Sequence, residues 1–392
     1  MDDHRRNYPS NSNTAKQMKR KAGIYIHFPF CKIKCGYCDF YSITDREDSI
    51  PLFIDCLIHE IDLYFDSHNT NLYNFDSIFM GGGTPSLIEP IYIEKIFKTL
   101  SKYIDMDYIE EATIEANPGE SPKERLKEFR KLGINRISFG FQSLDNKLLK
   151  FLDRLHSSEQ CISAFNDARE AGFDNINTDM IFNIPGQSID TLTNNMQSII
   201  DLNPEHISSY SLTVEKGTML YNNVSKGKVI MPDENLDYEM YKTTSSILKN
   251  NSYIQYEASN YSKNHQECIH NLHYWNLDPY LAFGPSAHGY DGEKRWWNHR
   301  SLGIYISQLQ KSKLPINNSE KLTKKDQYNE MIMNGLRTSK GVKIDNLNSI
   351  CNNIDFSLIV KKWPQLTIDG AYLKLGNSDF MLLDEITADL FI

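Results

Sequence analysis

From Ala22 onward, short apolar runs alternate with longer stretches in which apolar residues recur every three or four positions. The strand-like runs are AGIYIHF at 22–28, FDSIFM at 75–80, ATIEA at 112–116, NRISFGFQ at 135–142, NINTDMIFNI at 175–184 and HISSYSLT at 206–213. Amphipathic stretches separate them, such as 52–66, where Phe53, Leu57, Ile61 and Phe65 fall on one face. This alternation predicts an α/β fold of parallel strands joined by helical crossovers, either a closed or partial (β/α) barrel or an open doubly wound sheet. The pattern weakens between 230 and 310, which holds YIQYEASNYS at 253–262 and an aromatic-rich stretch up to Trp297. Beyond it, SEKLTKKDQ at 319–327 reads as a charged linker or helix start. A helix around 328–338 and the strand candidates LTIDGAYLKL and DFMLLDEI then predict a small α+β domain. The expected organisation is a tail at 1–20, a main domain at 21–250, an extension at 251–318 and a small domain at 319–392.

The first 20 residues, MDDHRRNYPSNSNTAKQMKR, are polar and aperiodic, and read as a disordered tail outside the fold. Asp2 and Asp3 sit where a mitochondrial presequence avoids acids, and no signal-peptide pattern opens the chain. No apolar run approaches the roughly 18 to 20 residues of a membrane span, so a cytoplasmic protein without a membrane segment is expected. Lys plus Arg number 42 against 51 Asp plus Glu, a formal charge of -9, which offers polyanions no broad basic surface; nucleic acid is not an expected partner.

The seven cysteines do not form a disulfide framework, because Cys56, Cys161, Cys268 and Cys351 are widely scattered. Cys161 shares a helical face with Ala164, Phe165 and Ala168, which predicts a core position; Cys56 and Cys351 are read the same way. The other three are different. Cys31-x3-Cys35-x2-Cys38 puts three thiols on one short loop directly after the first strand, and thiolates are the ligands of iron–sulfur clusters. A structural zinc site needs a fourth ligand, and no nearby Cys or His follows Cys38. Three thiolates on a cubane leave one iron open to another ligand.

Gly81-Gly82-Gly83-Thr84-Pro85 follows the second strand, where backbone without side chains approaches a ligand closely, or simply makes a tight turn into a helix. Polar residues recur at the ends of later strands: Glu115 on the third, Gln142 on the fourth, Asp179 on the fifth. In a barrel these converge on one mouth. Acids within apolar strands are costly unless used, so Glu115 and Asp179 are candidates for ligand contacts; the alternative is a structural ion pair with Arg136 or Arg154.

The segment YIHFPFCKIKCGYCDF resembles the signature of the radical S-adenosylmethionine (SAM) superfamily. The resemblance lies within the branch of the oxygen-independent coproporphyrinogen III dehydrogenases (HemN) and the heme chaperones (HemW), and covers most of the chain after residue 21. It implies a partial (β/α) barrel as the core at 21–250, and a [4Fe-4S] cluster on Cys31, Cys35 and Cys38. SAM would chelate the open iron through its amino and carboxylate groups, and an electron from the cluster would split it to a 5'-deoxyadenosyl radical. The positions matching the branch's SAM contacts are Tyr25, Gly82, Gly83, Thr84, Glu115, Gln142, Arg154 and Asp179. Part of this set serves a second SAM in the dehydrogenase, so the set alone does not imply two SAM molecules here.

Within the branch, the dehydrogenases carry a further cysteine two residues after the triplet, where this chain has Phe40. They also have a longer ordered region before the cluster. His270-Asn271-Leu272-His273-Tyr274-Trp275 matches the HNxxYW motif of the chaperone side, which implies heme as a ligand with His270 as the candidate contact. The same residues would also serve to cap a turn and fill a core. Cys268 and His288, the latter within GPSAHG, are secondary heme-ligand candidates. MIMNGLRTSKGV at 331–342 resembles the small helical and winged C-terminal domain of the branch. The expected functions, in order, are a heme chaperone delivering to an acceptor protein, a coproporphyrinogen III dehydrogenase, and a radical SAM enzyme with an unrelated substrate. SAM cleavage would add an electron donor as a partner.

Overall fold

The computed structural model describes residues 19–351, 354–376 and 380–392; the tail expected at 1–20 therefore lies outside the described residues up to position 18. Six strands, β1 (Arg20–Phe28), β2 (Tyr73–Gly82), β3 (Glu111–Ala116), β4 (Arg136–Gln142), β5 (Asn175–Phe182) and β6 (His206–Ser211), lie side by side in chain order. Every neighbouring pair among them is parallel. The order never reverses. Right-handed crossovers then place successive helices on the same face, which favours a curling barrel wall over a doubly wound sheet.

The wall does not close. Beyond β6 the sheet continues through β8 (Asn260–Ser262) to the short β7 (Ile254–Gln255), both antiparallel. On the other edge, β9 (Tyr280–Phe283) runs parallel to β1, and β10 (His288–Tyr290), β11 (Lys294–Asn298) and β12 (Ile316–Lys321) extend it antiparallel. The result is an open, partial (β/α) barrel within a twelve-stranded sheet.

The two faces of the wall differ chemically. Ile24, Ile26 and Phe28 of β1, Ile78 and Met80 of β2, Ile114 of β3, and Ile137, Phe139 and Phe141 of β4 pack into the main core with the helices. Those helices include Ile50–Ser67, whose Phe53, Leu57, Ile61 and Phe65 are buried, and Ser158–Glu170, which buries Cys161, Ala164, Phe165 and Ala168. The alternate positions carry Tyr25, Glu115, Ser138, Gln142, Asn177, Asp179 and Ser208, and they line a cavity. Parallel sheets are ordinarily apolar on both faces, so a polar inner face marks a ligand space rather than packed core.

Helix Ile269–Asn276, which carries the HNLHYW motif, closes the end of this space where the strands begin. Glu111, the first residue of β3, accepts the backbone N–H groups of Ile269 (2.9 Å) and His270 (3.2 Å) and so caps the helix. Asp76 of β2 meets His273 at 2.6 Å, and the Ser77 hydroxyl meets His270 Nδ1 at 3.0 Å.

Near the C-terminus the sequence expectation needs two corrections. Among its described residues DFMLLDEI contributes no strand: a 3-10 turn at Phe380–Leu382 leads into helix Leu383–Leu390, which buries Leu383, Ile386, Thr387 and Leu390 at helical spacing. The charged segment at 319–327 begins as strand, its first residues belonging to β12 before Thr323 caps helix Lys324–Leu336 with a capping box. LTIDGAYLKL forms the expected hairpin, β14 (Leu366–Asp369) and β15 (Tyr372–Leu375), and β13 (Val342–Lys343) pairs with β15.

Candidate cluster and ligand site

The cysteine loop is tied at both ends. Ile43 donates to the Pro29 carbonyl (2.7 Å) and Cys31 donates to the Ile43 carbonyl (2.9 Å), pinching residues 31–42 into a loop above the end of β1. The glycine run supports it from below: Gly83 donates to Phe28 O (2.7 Å) and Thr84 to Phe30 O (2.8 Å). A side chain at Gly83 would meet the Phe30 carbonyl at 2.5 Å and the Phe28 carbonyl at 2.8 Å, so only glycine permits this approach. The Thr84 hydroxyl points at Cys31 Sγ (3.6 Å) and accepts from Asn117 (2.9 Å). Arg154 reaches Cys35 Sγ through Nη1 at 3.7 Å, and its Nη2 donates to Gly140 O (2.8 Å) and to Asn117 Oδ1. Asp153 accepts the Gly36 N–H at 3.0 Å.

Cys31, Cys35 and Cys38 line one cavity of about 900 Å3. The same cavity is lined by Tyr25, Gly82, Gly83, Thr84, Glu115, Gln142, Arg154, Asp179 and His270, so the three cysteines, the residues matching the SAM contacts and the first heme candidate border a single space, while the secondary candidates Cys268 and His288 do not. Gln142 sits there with a left-handed backbone (φ 67°) beside a break in the β4–β5 register, a conformation that stores strain for a non-glycine residue. Among the described residues, no three His, Cys, Asp or Glu side chains gather closely enough for one mononuclear ion. A cubane asks something different, since each thiolate holds its own iron, and three thiols spaced along one loop at a cavity wall suit that demand.

The acids on the inner wall are not the ion pairs that formed the alternative reading. Among the described residues Glu115 accepts only the Gly82 N–H (3.1 Å), and Asp179 accepts from Asn177 (2.7 Å) and Ser138 (3.3 Å); neither has Arg136 or Arg154 within salt-bridge distance. Burial, with Asp179 nearby, lifts the Glu115 carboxyl to about 8, and burial also raises Asp179. Burial likewise raises the Cys31 and Cys38 thiols, which the hydrogen bond from Thr84 to Cys31 partly offsets.

The Radical SAM superfamily matches residues 25–199. Over 319 residues the chain is 34% identical to the heme chaperone HemW of Bacillus subtilis, covering 81% of this chain and 84% of that one. It is 30% identical to the heme chaperone HemW of Lactococcus lactis, over 94% of this chain and 99% of the other. The chain belongs to the HemW family of radical SAM proteins. Its fold is shared more widely: coproporphyrinogen III oxidase (HemN) from Escherichia coli, a radical SAM enzyme, superposes with a TM-score of 0.80 at 18% identity, covering 94% of this chain and 90% of that one.

In this HemW-family chain three features of the motif region stand apart from the sequence reading. His270 borders the cavity but is buried, with Nδ1 bonded to Ser77 and Nε2 to the Tyr274 hydroxyl at 2.9 Å. Cys268 is buried and donates to Glu111 (3.4 Å), and His288 stacks on Trp297 away from the cavity lining. Sequence reading missed Asn117, which links Thr84 to Arg154, and the inner-wall residues Ser138, Asn177 and Ser208. The period-two alternation of Arg136, Ser138, Gly140 and Gln142 on β4 is the signal that would have found the wall residues.

Proposed function

We propose that this chain is a heme chaperone that binds heme and passes it to an acceptor protein, with a [4Fe-4S] cluster on Cys31, Cys35 and Cys38 and SAM at the open iron. Two HemW relatives matched over most of their length support it. The observation that carries it is at the cavity mouth. Phe40, where the dehydrogenases of the branch have a further cysteine, is 66% exposed, and Leu155 (62%), Ile33 and Tyr210 are also exposed on the lining of the same cavity. Large apolar side chains clustered on one opening mark a binding surface, and a flat apolar macrocycle with polar edges matches an apolar rim over a polar interior.

Tyr25, Gly82, Gly83, Thr84, Glu115, Gln142, Arg154 and Asp179 would hold SAM, which supplies an oxidising radical when reduced through the cluster. The cavity fits it: a backbone that closes only around glycine, and two buried acids with spare acceptor capacity for an ammonium or ribose hydroxyls. SAM cleavage would call for an electron donor. His270 is the proposed heme contact from the wall; iron ligation through Nε2 would replace its bond to Tyr274. The cytoplasm is the proposed setting, where seven unpaired cysteines persist.

Titration of cluster-loaded protein with heme, beside an assay with coproporphyrinogen III, SAM and reductant, tests this reading. A Soret band with saturable binding and no protoporphyrinogen is expected; turnover of the porphyrinogen would make the chain a dehydrogenase.

A further inference from the structure

Three arginines line the cavity, and two of them are committed. Arg154 serves Cys35, Asn117 and Gly140. Arg337 donates to Glu257 at 2.9 Å and lies over the Trp275 ring at 4.6 Å. Arg136 is the exception: only 2% exposed, it makes no hydrogen bond among the described residues, and its Nε is a buried donor without an acceptor. The nearest counter-charge, Glu111 Oε2, is 3.9 Å from Nε, beyond hydrogen-bond reach. Glu111 is in any case occupied, one oxygen with His270 N–H and the Cys268 thiol, the other with Ile269 N–H.

A buried guanidinium keeps its charge and offers five donors in a planar fork, so leaving them unpaired costs more than for almost any other side chain. The other acids facing it do not neutralise it through contact: Asp179 is engaged with Asn177 and Ser138, Glu115 with Gly82, and burial favours the protonated form of both. Arg136 shares the cavity lining with the polar wall residues Ser138 and Asn177 and the helix residues His270 and Tyr274. A planar oxyanion entering from the cavity would match this unpaired fork.

We propose that the floor of the cavity is a carboxylate-binding subsite centred on Arg136, and, resting on the heme-chaperone reading, that the carboxylate it takes is a heme propionate. The methionyl carboxylate of SAM is the other source of the same chemistry. A propionate anchored at the floor would hold one edge of the macrocycle in the polar interior while its apolar body rests against the rim of Phe40 and Leu155.

The test is a cycle between ligand carboxylate and arginine. Heme and heme dimethyl ester are titrated into cluster-loaded wild type, Arg136→Gln and Arg136→Lys, and SAM and decarboxylated SAM are titrated into the same proteins. Wild type is expected to prefer heme over its diester by about tenfold to a hundredfold, the worth of a charge-assisted hydrogen bond. That preference should vanish in Arg136→Gln and partly survive in Arg136→Lys. Arg136 dependence confined to the SAM pair would keep the subsite and assign its carboxylate to SAM. Equal losses for acid and ester forms in both pairs would overturn the subsite, leaving Arg136 a packing residue. If Arg136→Gln fails to fold, Arg136→Lys alone decides by the same comparison. Should wild type bind neither heme nor its diester, the chaperone reading falls, and the SAM pair judges the subsite.

Discussion

His273 Nε2 lies 2.6 Å from Asp76 Oδ1, and this buried contact fastens helix Ile269–Asn276 beneath the candidate site. Asp278 meets the other ring nitrogen at 3.2 Å, and Lys21 reaches the second Asp76 oxygen at 2.9 Å. Burial opposes protonation of His273, but the hydrogen bonds to Asp278 and Asp76 and their charges outweigh it, lifting its pKa to about 9.

His273→Ala should therefore cost about 1–3 kcal/mol at pH 7, because Asp76 keeps Lys21 on one oxygen while its other buried oxygen loses its donor. The folded pKa lies above the unfolded value of 6.5, so the contribution is complete below pH 6.5 and fades as pH rises through about 9. Urea unfolding of both proteins at pH 6 and pH 10 checks it; a gap that widened at high pH would contradict the assignment.

The three clustered thiols should be individually indispensable for iron. Cys31→Ala, Cys35→Ala and Cys38→Ala each remove one anchor from a cubane that has only three, while Cys161→Ser alters a buried packing thiol. Iron and sulfide after anaerobic reconstitution should collapse in the first three and persist in the last.

Gly83→Ala should lose cluster loading without touching a ligand, because its Cβ would press on the carbonyls of Phe30 and Phe28 just before Cys31. Such overpacking costs about 1–3 kcal/mol or more against backbone that cannot rotate away. A variant with wild-type iron content and thermal midpoint would show that the loop is not held as described.

Glu115→Ala and Asp179→Ala should weaken SAM binding by about tenfold to a hundredfold, the range for hydrogen bonds to a charged ligand, with iron content unchanged. Isothermal titration with SAM reads the effect. Unaltered affinity in both would return these acids to a structural role.

Much of this was legible in the sequence, because the signals were local. Cys31, Cys35 and Cys38 are spaced along one loop, and Glu115, Gln142 and Asp179 interrupt apolar strands where acids and amides are costly. What escaped was long-range or degenerate. The role of Arg136 depends on Glu111 being taken by a helix more than 150 residues later in the chain, a relation no pattern in β4 encodes. His270 looked like a free ligand because sequence does not show that Ser77 and Tyr274 occupy both its nitrogens. DFMLLDEI suggested a strand because a short apolar run fits either period, and tertiary packing of Leu383, Ile386 and Leu390 decided for helix.

The most direct measurement of the central reading follows both candidate ligands in one preparation. Cluster-reconstituted protein with SAM and reductant is given heme in one cuvette and coproporphyrinogen III in another. Saturable heme binding, transfer of that heme to an apo-acceptor protein, and no protoporphyrinogen are the predicted results. Formation of protoporphyrinogen, or failure of bound heme to leave for any acceptor while SAM is turned over, would contradict a heme chaperone.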